Sequence, residues 1–357
     1  MITSARQFRR FAIALSVVGV VVQLLLSIYY LEVGHAPRPR NVAIGLIGSA
    51  ERRAPIEAAI AKQGGFEVTT YASPDELRAA VGDRTSFGGL DVSGPVPHLY
   101  VATAAGPTAA TYLKSAFTTA MQQQVSDQLA AITAAGKPVP PSTVVALSTP
   151  PEVTDLAPLP DTDKYGSALS FLVQALALGG TIASAGLGRL IPRTRRSLKR
   201  GLGHLTTLIA YAAGSAAAVS ISMRLFDIGT GADHVTLFGV FFLVSLAVIA
   251  STAALVALIG QAGMGAGLIY FGVGTVISGA SIPSEFLPPV ARAIGQALPT
   301  GAGAHAVRDT LYFPDAAIAG PIWVLLAYSL IGCAVLLVTN LRANDSDRTE
   351  VSELATL

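Results

Sequence analysis

The chain has 357 residues, 52% of them hydrophobic and only 13% charged, where soluble domains carry roughly 25% charge. Its mean hydropathy is +0.56 and its formal net charge is +2. So few charges exclude an ordinary soluble domain and point to the bilayer, where each buried charge costs several kcal/mol. The single cysteine, Cys333, excludes an intramolecular disulfide. His35, His98, His204, His234 and His305 are too scattered for metal-ligand spacing.

Phe11–Leu31 is a run without a charge, long enough to span about 30 Å as a helix. It follows Arg6, Arg9 and Arg10, as the core of a signal peptide would. It is too long for that core and ends in Tyr29-Tyr30-Leu31-Glu32 rather than at a small-x-small cleavage site. An uncleaved anchor with interfacial tyrosines is predicted. Further uncharged runs are Tyr165–Gly188, His204–Met223, Val235–Gly260, Gln261–Ser284 and Gly320–Leu341. The fourth and fifth of the six are separated by a predicted turn at Gln261-Ala262-Gly263.

Charge sets the expected orientation. Arg189–Gly203 carries Arg189, Arg193, Arg195, Arg196, Lys199 and Arg200 and no acidic residue, so it is predicted to be cytoplasmic. Six spans then place both termini inside. Three basic residues near the N terminus, six in this loop and two in the tail give eleven inside against four acidic residues, all in the tail. The remaining segments hold 13 basic and 18 acidic residues, and the opposite orientation reverses the bias.

The fold class expected is a polytopic α-helical membrane protein with six transmembrane helices and a small α/β extracytoplasmic domain inserted between helices 1 and 2. Residues 1–31 make the cytoplasmic N-terminus and first span, 32–164 the outer domain, 165–341 a five-helix region and 342–357 a cytoplasmic tail.

Within the outer domain, Val42–Ile47 reads as a strand running into Gly48-Ser49. Ala54–Gln63 has helical spacing and stops at Gly64-Gly65. Glu67–Tyr71 is strand-like, and Ser73-Pro74-Asp75-Glu76 starts a helix with Ser73 as N-cap and Glu76 closing a capping box. Apolar stretches follow at Ser86–Val92 and His98–Thr103. A long helix is predicted over residues 107–135, because Leu113, Phe117, Met121, Val125, Leu129 and Ile132 recur at three- and four-residue steps. Seven prolines between Pro138 and Pro160 predict a stiff return to the membrane.

The chemistry is marked mainly by what is missing. No GxxxxGK[ST] pattern occurs, so no P-loop for ATP is predicted in this chain. Gly45-Leu46-Ile47-Gly48-Ser49 lacks the further glycine and lysine of a phosphate loop and reads as an ordinary strand-helix turn. No serine, histidine and acid form a hydrolase motif. His98 with Asp91, and His305 with Asp309, read as solvated or hydrogen-bonded structural histidines. No catalytic residue, metal or cofactor is expected. The spans carry ionisable groups only near their ends, unlike ion-driven transporters, so work done on them would come from a partner. Gln23, Gln174, Tyr211 and Gln261 are candidates for a path or for interhelical hydrogen bonds. Gly265 and Gly272, in a run with Gly263, Gly267, Gly274 and Gly279, suit close helix packing or a lining stretch. Thr194–Leu205 is expected to form a short cytoplasmic helix that seats on a partner.

This layout resembles the permease subunit of an ATP-binding cassette exporter of the type-2 class. The local match is Ser278-Gly279-Ala280-Ser281-Ile282-Pro283-Ser284-Glu285-Phe286-Leu287-Pro288, continuing through Leu298-Pro299-Thr300 to Ala306-Val307-Arg308-Asp309. In that class a Ser-Gly and Pro pattern, a Leu-Pro, a short helix, a second Leu-Pro and an Arg join the fifth and sixth spans. Asn41–Lys114 is also similar, notably Phe66–Tyr71, Ser73–Val81 and Phe87-Gly88-Gly89. A more particular similarity is to permeases related to the phage-infection-protein group. The chain departs from the class in its small-residue-rich fifth span.

The resemblance implies a dimer of permease subunits in the plasma membrane, with a second copy or a paralogue as neighbour and lipid around it. Each subunit would bind a cytoplasmic ATP-binding cassette ATPase that supplies ATP. It implies a coupling role for Arg193, Arg195, Arg196, Leu198, Lys199 and Arg200, and a membrane-entry helix beginning at Arg6–Phe11. It also implies a re-entrant outer segment containing Pro283, Leu287, Pro288, Pro299 and Arg308. From Ile282 to Ala319 the apolar residues at helical spacing predict two short helices that dip into the outer leaflet. The rival expectation is a membrane-anchored surface receptor or scaffold acting through the outer domain. A polytopic membrane enzyme comes third. No nucleic-acid partner is expected.

Overall fold

The computed structural model describes residues 5–136, 151–190 and 198–354. Two units divide the chain, residues 1–38 and 39–357. The first unit contains α1, Ala5–Gly34, whose Val17, Val20, Leu24 and Leu25 are all exposed. A charge-free stretch such as its Phe11–Leu31, with an exposed apolar surface, is what a single membrane-crossing anchor requires.

The second unit begins with a mixed α/β layer. Its elements are β1 (Val42–Ile47), α2 (Ala50–Gln63), β2 (Phe66–Thr70), α3 (Pro74–Gly82), β3 (Gly88–Asp91), β4 (His98–Val101), α4 (Pro107–Ala134) and β5 (Glu152–Asp155). The sheet order is β2-β1-β3-β4-β5; β3 and β4 pair antiparallel and the other neighbours pair parallel. β1 is apolar along its whole length and nearly all buried, as a central strand covered on both faces must be. β1 and β3 pass closely at Gly45 and Gly89, where a side-chain carbon on Gly89 would lie 2.8 Å from the Gly45 carbonyl carbon.

At α3, Ser73 Oγ accepts from the Glu76 amide, and Glu76 Oε2 reaches back to the amide of Ala72, one residue before the cap itself. α4 buries Leu113, Phe117 and Ala120 on one face and leaves Gln122 and Gln123 exposed. β5 corrects the expected proline-rich return. Residues 137–150 lie outside the described set, but Glu152–Asp155 pairs with β4 in parallel register from His98↔Glu152 to Val101↔Asp155. Four residues between prolines carry too short an alternation to read as a strand; the β4 edge supplies the pairing.

Asp163 turns the chain into the helical layer. Its carboxylate accepts from the amides of Ser167 and Ala168 at 2.9 and 3.1 Å. The first turn of α5, Ala168–Leu190, thereby gains acceptors for otherwise unpaired N–H groups. α6 (Leu198–Leu225), α7 (His234–Ile259) and α11 (Ala319–Leu354) follow, the last after the short α8 (Gly265–Ile269), α9 (Pro289–Ala297) and α10 (Pro299–Tyr312). α11 continues past Leu341, where a tail was expected; of the helix expected over Thr194–Leu205, residues 194–197 lie outside the described set and 198–205 are continuous with the rest of α6.

Five helical stretches among the described residues are long and apolar enough to cross a membrane: Ser16–Gly34, Ala168–Gly186, Leu198–Leu225, His234–Gly274 and Ala319–Asn340. With the small sheet, this is the makeup of a polytopic helical membrane protein. Phe171, Ile182, Ile221, Leu330 and Ile331 are exposed, although apolar, on the outside of the helical layer. That pattern suits a protein whose solvent is lipid.

The fourth stretch, 41 residues long, is not one straight helix. Gly260 adopts φ +72° and the chain reverses there, just before the turn predicted at Gln261-Ala262-Gly263. Ser251 Oγ and Tyr270 Oη then meet at 3.0 Å, whereas 19 residues of straight helix would hold them about 28 Å apart. From Gly260 to Gly274 the backbone passes through a 3-10 turn, α8 and a π turn. So the helix expected over Gln261–Ser284 is broken. Two of its glycines, without a Cβ to restrict φ and ψ, lie close against neighbours: a carbon on Gly267 would stand 2.7 Å from Thr181, and Gly263 abuts the Leu255 backbone.

α7 sits centrally, against α5, α6, α10 and α11. Gly332 of α11 lies where a side-chain carbon would stand 2.6 Å from the Ala250 carbonyl carbon of α7. Gly332→Leu is expected to force these helices apart and destabilise the protein by about 1–3 kcal/mol. Gly214→Leu, on α6 with nothing within 4 Å, is the matched control. Equal melting temperatures for the two variants in detergent would refute the close approach.

Candidate functional site

The segment between Thr275 and Ala319 joins the two layers, and its sequence explains its shape. Gly279 takes φ +86°, and Ser278 Oγ donates to Thr275 O while accepting from the Ala280 amide. Pro289 and Pro299 occupy the first turns of α9 and α10. There the missing N–H costs nothing, and the preceding residue is held extended, as Pro288 and Leu298 are. Pro288-Pro289 and Leu298-Pro299 are therefore the two helix starts. Two short helices are present, as the apolar spacing predicted.

This segment shares the core of the α/β layer. Phe286 and Phe313 are buried with Leu99, Leu113 and Phe117. Tyr112 packs on Phe286 with ring centroids 5.4 Å apart. Pro283 lies against Gly106, where any side chain would collide with its ring. The Arg40 amide donates to Glu285 O at 2.9 Å.

At the centre lies a buried charge cluster. Arg84 follows α3 in the left-handed region, φ +59°, a conformation that costs a non-glycine residue of order 1 kcal/mol or more. Its amide bonds to Val81 O at 3.1 Å. Its guanidinium pairs with Asp309 Oδ1 and lies 5.5 Å from the Phe313 ring centre. His305, one turn earlier on α10, meets Asp309 Oδ2 at 3.2 Å and Gln296 Oε1 at 3.2 Å. Gln296 Nε2 in turn donates to Ser278 O at 3.0 Å. Arg308 is buried and donates to Ala280 O at 2.9 Å.

Burial raises the Asp309 carboxyl, but the hydrogen bond and charge of His305 and the charge of Arg84 outweigh it and hold the group below its ordinary value. Arg308 is pushed down to about 10 by burial and by Arg84, and so stays charged at neutral pH. Tyr312 is pushed up to about 12, by burial first and then by Asp163.

Beside the cluster is a cavity of about 250 Å³ between α9, α10 and the start of α11, lined by Ser284, Glu285, Arg292, Gln296, His305 and Pro321 among others. Glu285 Oε1 accepts from Ser284 Oγ at 2.9 Å and meets Arg292 Nη2 at 3.4 Å; its buried Oε2 has no hydrogen-bond partner.

The sequence-predicted positions divide sharply. Pro283, Leu287, Pro299 and Arg308 are buried in this segment, with Pro288 half-buried. Gln23, Gln174 and Gln261 are exposed, so none anchors an interior polar network. Tyr211 is half-buried beside Gly179. Gly265 has open space around it; the close contacts fall instead on Gly263, Gly267 and Gly274. Arg193, Arg195 and Arg196 lie outside the described residues, while Leu198, Lys199 and Arg200 form the exposed first turn of α6. His305 does pair with Asp309. His98 faces Asp91 across the ladder, but its ring bonds Thr154 Oγ1 at 2.7 Å and Glu152 at 3.5 Å.

Arg84, Glu285 and Gln296 carried no signal that sequence reasoning used. An arginine just past a helix end, where glycine is usual, is the one clue that was available for Arg84. Among the described residues no group of three His, Cys, Asp or Glu side chains is placed to hold a metal. The arrangement can lock two layers together and offer a small polar cavity; it contains no nucleophile–base pair. No protein-family model matches the sequence, and no curated protein matches it.

Proposed function

We propose that this chain is the permease subunit of an ATP-driven exporter, built around six crossings and worked by a separate cytoplasmic ATPase. The observation that carries the reading is the joint just described. The α/β layer and the segment before α11 share one core and one buried ion pair, so a displacement of the helices must move the outer layer. A receptor head on an anchor needs no such joint, which disfavours the scaffold reading.

In this reading the crossings are α1, α5, α6, α7, the broken segment after Gly260 and α11. The reversal at Gly260 supports counting that segment separately. Two further contacts fit. Thr162 Oγ1 bonds Asp227 O at 3.3 Å at one end of the bundle, on the side of Arg84 and Asp309. Gly201 lies against Asn340 at the other. The first end would be extracytoplasmic, carrying the α/β layer between crossings one and two; the second would be cytoplasmic, at the plasma membrane, with both chain termini. α9 and α10 would be the re-entrant outer helices, with Val290 and Ile294 of α9 exposed toward lipid. A dimer of such subunits, each on an ATPase, completes the proposal.

Two experiments test it. Affinity purification of the tagged chain from its own cells is expected to bring down an ATP-binding cassette ATPase; recovery without any ATPase under conditions that retain other membrane complexes would sink the reading. For topology, single cysteines are introduced at Ser126 and Ser197 in a Cys333→Ser background. The first is expected to label in intact cells and the second only after permeabilisation, from the eleven-to-four basic excess inside. Equal labelling in intact cells would refute the orientation.

A further inference from the structure

His305 has both ring nitrogens engaged, and the bonds around it fix what each nitrogen must do. Nε2 meets Asp309 Oδ2 at 3.2 Å and Nδ1 meets Gln296 Oε1 at 3.2 Å. Asp309 is held below its ordinary value, so at neutral pH its oxygens only accept. Gln296 offers the ring an oxygen or a nitrogen according to how its amide is turned. Ser278 decides which: its carbonyl oxygen lies 3.0 Å from Gln296 Nε2 and cannot donate, so the amide nitrogen belongs there and the amide oxygen faces His305. Both ring nitrogens therefore face acceptors. A neutral imidazole carries one N–H and supplies only one of the two bonds; the imidazolium supplies both.

Each bond ties a different part of the joint. Asp309 also holds Arg84 of the α/β layer, and Gln296 holds α9 to the turn at Ser278. His305, on α10, links the two. Its side chain is 38% exposed and lines the cavity, so water brings protons to the ring. The charged groups around it are Asp309 and Arg308 on α10, Arg84 after α3, and Arg292 on α9 with Glu285 before it. The start of α11 lines the cavity with Gly320, Pro321 and Val324, none of them ionisable. Of all these side-chain types, histidine alone ordinarily changes charge between about pH 5 and 8. We propose that His305 is a proton-operated latch: charged, it ties α9 to α10 and to the Arg84–Asp309 pair; neutral, it keeps the carboxylate, the stronger acceptor, and releases Gln296. The charged ring completes bonds that the unfolded chain lacks, so the latch holds in mild acid and is lost as pH rises through the histidine range. On the orientation proposed above, the protons it reads are those outside the cell.

Amide hydrogen exchange of the purified full chain in detergent tests it, read over α9, Pro289–Ala297, between about pH 5.5 and 8.5. Rates are corrected for the intrinsic pH dependence of exchange, with β1 as the internal reference. Opening of α9 in the wild-type chain is expected to rise about tenfold across that range while β1 holds steady, the scale of one hydrogen bond to a charged group. His305→Gln is expected to abolish the rise, because glutamine does not titrate. Gln296→Leu is expected to open α9 equally at both ends of the range, because the tie is absent whatever the charge on the ring. A wild-type α9 whose opening does not change with pH overturns the proposal, whether or not the variants fold. The full rise persisting in His305→Gln assigns the proton elsewhere and also overturns it. The full rise persisting in Gln296→Leu overturns the latch in favour of a plain pair between His305 and Asp309. None of these measurements involves an ATPase or a membrane orientation, so their failure leaves the permease reading standing, and failure of that reading leaves the latch.

Discussion

Arg84→Ala should destabilise the protein by about 3 kcal/mol, with the loss centred on the joint between the α/β layer and α10. Asp309 is 1% exposed and the Arg84 side chain 11%. Removing one partner of a buried pair leaves a charge without compensation, at about 3–5 kcal/mol. The low end applies because His305 still faces the second carboxylate oxygen. Alanine keeps the left-handed backbone strain, so the variant isolates the side chain. Arg84→Ala combined with Asp309→Ala removes the orphaned carboxylate as well, and its cost should fall short of the sum of the single variants. Thermal unfolding of purified protein, with limited proteolysis of residues 39–136, reads both terms. A shift for Arg84→Ala within about 0.5 kcal/mol of wild type, the range of ordinary surface substitutions, would show that the pair does not hold the layers together.

Acid should act on the same joint. The folded-state Asp309 carboxyl is held below its ordinary value of 3.8. A depressed carboxyl contributes stability that is fully present above the unfolded value and is lost as pH falls through the folded one. From pH 5 upward the group should therefore add no slope, and its contribution should disappear only in acid below that ordinary value. In Arg84→Ala one of the causes of the depression is gone, so the acid-linked contribution from Asp309 should be smaller. An unfolding midpoint with identical acid dependence in the two proteins would contradict this.

The parts legible in the sequence were those written in local rules. Charge-free runs gave the long helices because a bilayer penalises charge one residue at a time. Ser73-Pro74-Asp75-Glu76 gave the start of α3 because capping is local, and apolar residues at helical spacing interrupted by prolines gave the two short helices α9 and α10. β5 was missed because its four residues become a strand only beside β4, a partner far away in sequence. The segment after Gly260 was expected to be a regular helix, because hydropathy does not register the backbone freedom of clustered glycines. At the site, Arg308 was singled out only through the resemblance, and the prolines through it and through the breaks they make in apolar spacing. Arg84 and Asp309 are 225 residues apart in sequence, and nothing local to either specifies the other. Gln23, Gln174 and Gln261 were singled out as polar residues in apolar runs, and all three are exposed in the single chain.

The coupling proposal carries the largest functional effect and depends on an unbroken α6. A helix over residues 194–205 would put Leu198 at its centre and make it the natural place to break. In the structure the described part of α6 starts at Leu198, so the position that would accept from the Leu198 amide, 194, lies outside the described residues. Leu202 is the better target. Its amide lies four residues past Leu198, so proline there removes an i→i−4 bond inside the described helix and clashes with the Leu198 carbonyl, at about 3 kcal/mol in a full helix interior. The Leu202 side chain is 51% exposed and Leu198 48%, so little buried packing is lost. Together with Lys199 and Arg200 they form an apolar and basic turn at the end of the bundle proposed as cytoplasmic. Charge removal would be ambiguous, because anionic lipid attracts such residues by about 1 kcal/mol each. A change of shape at constant charge is not. Leu202→Pro is expected to insert normally and keep a protease-resistant α/β layer, while losing ATPase co-purification or ATP-dependent export. Wild-type export by Leu202→Pro with its ATPase bound would mean that this turn only orients the chain in the membrane and transmits no work.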